Sequence, residues 1–178
     1  MLHSIGPRAS PENLVDLFLE CHQRIRTFVH LAEKVGRRYE LPQPEVIDTC
    51  QRCERYFTEA LPLHVEDEEK SLLPRLRGVG QDVNNALATM HEQHIEHEPL
   101  LRALLESLQS DRSEPDLRQH RELLTAGAAQ LALELEKHLT LEEQIIFSAA
   151  RSRMPLDAQD LVLQELRARR RPSTIRTT

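Results

Sequence analysis

Little in this chain favours β-structure, a membrane span or a disulfide-stapled fold. Aromatic residues are 3% of the 178 and glycine occurs 5 times. Both are staples of strands and tight turns, so an all-β architecture is disfavoured. No apolar run approaches the ~20 residues that cross a bilayer. Residues 1–10 lack the apolar core of a signal peptide, so a cytoplasmic protein without membrane attachment is expected. The 3 cysteines are an odd number in a chain with no export signal, and reduced thiols are expected. Positive charge is short as well. A net charge of −6 argues against a general nucleic-acid binder. The one basic concentration, Arg167 to Arg171 with Arg176, reads as a solvated end.

What is abundant is Leu, Ala, Glu, Gln and Arg, all strong helix formers. A chain with 39% hydrophobic and 29% charged residues at this length suits one domain with a full core. The predicted fold is all-α: an antiparallel up-down four-helix bundle with a short C-terminal fifth helix. Ser10-Pro11-Glu12 marks the first start, with Ser as N-cap and Pro at the first helical position. That helix is placed at 11–38, with an apolar stripe of Leu14, Phe18, Ile25, Val29 and Ala32 and His22 beside it. The second is placed at 44–76. Pro62 interrupts it and predicts a bend two residues before His64. Gly78-Val79-Gly80 makes the turn to a third helix at 82–109, and a loop from Ser110 to Pro115 leads to a fourth at 116–152. A fifth helix at 157–170 is expected to pack through Leu161, Leu163 and Leu166. The organisation is thus an N-terminal extension (1–10), the bundle (11–152), a C-terminal helix (153–171) and a disordered tail (172–178).

Two stretches organise the rest: His64-Val65-Glu66-Asp67-Glu68-Glu69 and His138-Leu139-Thr140-Leu141-Glu142-Glu143. Each is H-x-x-x-E-E followed by apolar residues. On a helix, i and i+4 lie on one face with Cβ atoms about 5–6 Å apart, so imidazole and carboxylate stand side by side. The next glutamates, Glu69 and Glu143, are turned about 100° away and read as support for the ligands or as solvent-facing. Upstream, His22 precedes His64 by 42 residues and His94 precedes His138 by 44. This is the pattern of a duplicated helix pair, delivering four His and two Glu to one level of a bundle. Zinc favours sites with thiolate, and magnesium and calcium favour all-oxygen shells. Mixed imidazole and carboxylate suits iron or manganese. If both glutamates bridge two irons, one position on each stays open for a small molecule such as dioxygen, peroxide or nitric oxide.

The order H…H-x-x-x-E…H…H-x-x-x-E resembles the hemerythrin-like, or HHE cation-binding, family of non-heme di-iron four-helix bundles. The family's run H-x-x-x-E-E-x-x-L/I-F/L-P is similar to His64–Pro74 and to His138–Phe147, with Ser148 where proline often stands. Met90 to His94 fits the third helix. The resemblance spans roughly 11–150. It implies that His22, His64, Glu68, His94, His138 and Glu142 are the metal ligands, with Glu68 and Glu142 as bridging carboxylates between two iron ions that share a further oxo or hydroxo bridge. It implies a protein that binds or responds to a small oxidant as sensor, scavenger or iron-handling and repair protein. The sequence leaves open whether it is an enzyme and whether it forms a homo-oligomer. Oxygen carriers of the family have a second His four residues after that of the third helix, and an Asp after the last His. Here those positions hold Glu98 and Glu142, so the site is more symmetric and less His-rich than a carrier's.

Plainer readings apply to the remaining candidates. His91 and His97 flank His94, and Glu98 lies four residues after it. Each is a candidate ligand, although surface or supporting roles are the simpler expectation. His3, His30 and His120 read as solvated. Cys50-Gln51-Arg52-Cys53 is a CxxC within a helix, about 21 Å along the axis from the metal level, and reads as buried small residues. A ferritin-type enzyme would carry E-x-x-H motifs, yet no His here has Glu three residues before it. The alternative is a degenerate bundle serving as a structural or interaction module, or holding one non-iron metal. A module without metal would have to bury charged groups unpaired.

Overall fold

The computed structural model describes residues 13–38, 40–113 and 118–171. Among them are five helices and no strand. The expected start at Ser10-Pro11, the extension before it and the tail from 172 onward lie outside the described residues. Helix α1 (Leu14–Arg37) is capped by Asn13, whose side chain accepts from the Asp16 backbone N–H at 3.0 Å. Helix α2 runs over 43–76 as α-helix Gln43–Arg55, π-helix Tyr56–Ala60, α-helix Leu61–Asp67, π-helix Glu68–Leu72 and α-helix Leu73–Leu76. Gly78, at φ +85°, makes the next turn, in a conformation few other residues adopt. Helix α3 (Gln81–Ser113) carries Pro99 within it and runs through the start of the expected loop. Helix α4 covers 118–153 as Arg118–Leu141, a π segment Glu142–Ile146 and Phe147–Arg153. Helix α5 is Leu156–Arg169. No described helix is long and apolar enough to cross a membrane.

α1 and α3 each pack beside both α2 and α4, the arrangement of an up-down-up-down bundle. The core has two apolar layers. One holds Phe18, Leu72, Leu76, Met90, Ile146 and Phe147. The other holds Ile25, Phe57, Leu61, Leu104, Leu131 and Leu135. Along every helix of the bundle the chain passes from one layer to the other at a histidine: His22 between Phe18 and Ile25, His64 between Leu61 and Leu72, His94 between Met90 and Leu104, and His138 between Leu135 and Ile146. These four histidines, with Glu68 and Glu142, therefore form a single polar stratum between two hydrophobic ones.

Details within the helices also differ from expectation. The bend expected at Pro62 takes the form of a widened turn just before it, Tyr56–Ala60, and the helical run continues. A proline ring strikes the carbonyl four residues back in a regular α-helix, and a π turn rearranges that carbonyl. Pro74 comes after its own π segment in the same way. On α5, Leu161 is exposed, while Gln159, Val162 and Leu166 are buried and Leu163 is partly so. The buried residues recur at three- and four-residue intervals, which puts Leu161 on the outer face.

The basic end is not simply solvated. Arg169 and Arg170 both donate to the carboxylate of Asp67, at 2.7 and 2.6 Å, and Asp67 is buried. Apolar packing brings α5 onto α2, and a carboxylate buried there requires cations.

Candidate metal centre

Each of the two H-x-x-x-E-E motifs runs into a π segment. Glu68 and Glu142 are the first residues of theirs, and their carbonyls accept from the N–H five residues on, at Leu73 and Phe147. One extra residue in a turn rotates the downstream side chains by about 100°. Leu73 and Leu76, and equally Phe147 and Ala150, are buried five and eight residues after the glutamate. The widened turns thus let the glutamates point into the polar stratum while the residues beyond them still reach the core. Single π turns of this kind recur at functional sites.

The six residues meet. His64 Nε2 lies 3.1 Å from Glu68 Oε1 and His94 Nε2 lies 3.4 Å from Glu68 Oε2. His138 Nε2 is 3.1 Å from Glu142 Oε1, and His22 Nε2 is 3.1 Å from Glu142 Oε2 and 3.8 Å from Glu68 Oε1. Two overlapping groups arise, His22–His64–Glu68–Glu142 and Glu68–His94–His138–Glu142, each with its nitrogen and oxygen donors within 4.8 Å of one another. Both glutamates belong to both groups. Phe18 and Phe147 close one side, Phe147 with its ring 4.8 Å from that of His22.

The imidazoles are held from behind. His22 Nδ1–H donates to Glu143 at 2.8 Å, His94 Nδ1–H to Glu69 at 2.8 Å, and His138 Nδ1–H to the Gln93 side-chain oxygen at 3.0 Å. Each lone histidine is therefore oriented by the second glutamate of the opposite repeat. Arg26 fixes Glu143 in turn, donating to it at 2.8 Å and to Glu136 at 2.8 and 2.9 Å. With Nδ1 committed, Nε2 faces the carboxylates, which is how histidine ligands are usually prepared.

Eight buried polar atoms here make no hydrogen bond of acceptable geometry: His22 Nε2, both nitrogens of His64, His94 Nε2 and all four oxygens of Glu68 and Glu142. Groups of this kind are costly to bury unsatisfied, and eight in one stratum fit a cation-binding site. The electrostatics agree. Burial opposes protonation of His22, but Glu142 and Glu68 outweigh it and push its pKa to about 10. Burial is likewise outweighed at His94, where Glu68 and Glu69 raise it to about 9. Burial resists ionisation of Glu68, yet the rings of His64, His22 and His94 hold it well below the usual carboxylate range. The two carboxylates demand positive charge in a place closed to water. A metal cation held by His22, His64, His94 and His138 together with Glu68 and Glu142 would supply that charge.

The other candidates stay outside both groups. His91 is exposed and contacts Glu69 at 3.0 Å. His97 is half-buried, edge-on to His138 at 5.2 Å, and burial together with His138 lowers its pKa to about 4. Glu98 is exposed. His97 and Glu98 line a cavity of about 260 Å³ beside His64, His94 and His138, otherwise walled by apolar residues such as Leu61, Val65, Leu101 and Leu131. Cys50 and Cys53 are buried in the apolar layer remote from the site, as expected, and no disulfide joins the cysteines. Sequence reasoning missed Gln93 and the pairing of Asp67 with α5. Gln93 carries no signal in its own neighbourhood. Asp67 carries one, an acid at the +3 position of a motif whose repeat has Leu141 there.

A family model described as hemerythrin HHE cation binding domain matches residues 13–150. No curated protein matches the chain. The match takes in every helix of the bundle and both His/Glu groups, and the chain belongs to the hemerythrin HHE cation-binding domain family.

Proposed function

We propose that the chain holds two iron ions, one beside His22 and His64 and the other beside His94 and His138, with Glu68 and Glu142 shared between them, and that it binds a small oxidant there. The observation that carries this is the sharing itself: two four-donor groups with both carboxylates in common. A single-metal site has no use for two such groups. The mix of imidazole and carboxylate without thiolate favours iron or manganese over zinc or calcium. Iron bound there supplies reversible electron transfer and an exchangeable position for the oxidant.

The protein's own contribution is placement and exclusion. Glu143, Glu69 and Gln93 keep three imidazoles in the tautomer that presents Nε2 inward. Phe18 and Phe147 close one side, and the cavity beside His64, His94 and His138 is the approach. Its apolar walls favour a neutral, weakly hydrated molecule, which fits dioxygen and nitric oxide better than a heavily hydrogen-bonding substrate.

The test is metal content per chain by elemental mass spectrometry after expression in iron-replete medium. About two irons per chain, with an absorption change on adding dioxygen or nitric oxide to the reduced protein, is the expected result. No iron, or a single zinc, would overturn it and leave the bundle as a structural or interaction module.

A further inference from the structure

The two halves of the site differ just beneath their ligands. At +3 and +7 from His138 stand Leu141 and Ile145, both partly buried and packed on the core. At +3 and +7 from His64 stand Asp67 and Ser71, at 1% and 0% exposure. These two share a helix face and straddle Glu68. Their partners are the last residue of α5 and the C-cap residue that follows it. Arg169 donates from Nη1 to Asp67 at 2.7 Å and from Nη2 to Ser71 Oγ at 2.7 Å, and Arg170 donates to the other oxygen of Asp67 at 2.6 Å. The Arg169 fork therefore spans the start of the π segment Glu68–Leu72, one tine on either side of Glu68. The family match ends at residue 150, before α5 begins.

We infer that α5 is a clamp on the metal centre, and that Arg169 and Arg170 are positioning residues which hold the π turn presenting Glu68 to His64 and His94. The inference rests on the metal-binding reading above. A guanidinium fork fixes two acceptors at a set separation, so it sets the geometry of the turn as well as its charge. On the Glu142 side apolar packing does this work within the bundle. On the Glu68 side it is delegated to a helix that lies outside the matched domain. Loss of the arginines leaves Asp67 buried without its cations, and the turn must rearrange one residue from a shared ligand.

The experiment uses the full chain and Co²⁺ alone as probe, read by titration and by the visible absorption of the bound ion, which responds to ligand geometry. Arg169→Gln/Arg170→Gln is expected to weaken Co²⁺ binding at least tenfold and to shift the absorption. Val162→Ala, which removes apolar packing from α5 but none of the hydrogen bonds to Asp67 and Ser71, is expected to lower the melting temperature while leaving affinity within twofold and the spectrum unchanged. If the double variant does not fold, Arg170→Gln alone decides, with a smaller shift in the same direction. Wild-type affinity and spectrum in the folded arginine variant would overturn the clamp alone. So would a Val162→Ala loss as large as that of the arginine variant. Failure of the wild-type chain to bind Co²⁺ would overturn the metal reading and the clamp with it.

Discussion

At the scale of residues, three of the four imidazoles, those of His22, His94 and His138, are held from behind by a side chain of another helix. Glu69 and Glu143 accept from His94 and His22, and such supporting carboxylates usually govern ligand basicity and orientation. Replacing Glu143 or Glu69 by Gln is expected to weaken metal binding about 10- to 100-fold, measured by competition with a chelator. Unchanged affinity in both would mean that these contacts do not orient the ligands. The aromatic wall has a separate consequence. Phe147 is 2% exposed and packs on both Phe18 and His22. Truncation to Ala should cost about 3–5 kcal/mol, read from urea unfolding of the metal-free protein. The motif residues were legible because a helix turns i and i+4 into neighbours, a property of the backbone alone. Gln93 was not, because its partner His138 lies on another helix and only packing brings them together.

At the scale of elements, the π segments and α5 are what the linear pattern hides. A periodicity of 3.6 runs through Glu68 and Glu142 without a break, yet each starts a wider turn. Apolar residues four, five and eight positions after each glutamate are buried, and their mere presence in the sequence does not say which turn geometry brings them inward, so the distinction is made by the facing helices. The attachment of α5 depends on pH in a direction set by Glu165. Arg75, with which it pairs at 2.7 Å, and Ser71 lower its pKa from the ordinary 4.5. A depressed carboxylate stabilises the folded state fully above its unfolded pKa, and the contribution is lost as pH falls through the folded value. Amide exchange in α5, corrected for intrinsic rate, should therefore be flat from pH 7 to about 5 and accelerate below about 4.5. Glu165→Gln should flatten that acid response. An α5 response identical in the variant would assign the effect to other carboxylates.

At the scale of the whole molecule, a polar stratum divides the core into two apolar layers, and the bundle's stability depends on how that stratum is neutralised. A metal that binds only the folded state stabilises it by about 4 kcal/mol at a thousandfold excess over its dissociation constant. For a chain of this size each kcal/mol moves the melting temperature by about 2–4 °C. Iron-loaded protein should thus melt roughly 10–15 °C above the chelator-treated form in scanning calorimetry. Equal melting temperatures would mean that the stratum is satisfied by its own histidine protons.

The sequence by itself determined the helical class, the duplicated pattern and the six residues to be gathered. Composition and spacing act through local backbone geometry, which is the same wherever the helix is placed. The tertiary structure alone decided the cross-repeat supports of His22 and His94, the burial of Val162 beside an exposed Leu161, and the use of Arg169 and Arg170 to hold Asp67 and Ser71. Each of these joins residues far apart in the chain, and a side chain's partner across a helix interface is set by how the helices rotate and pack, which no local periodicity records.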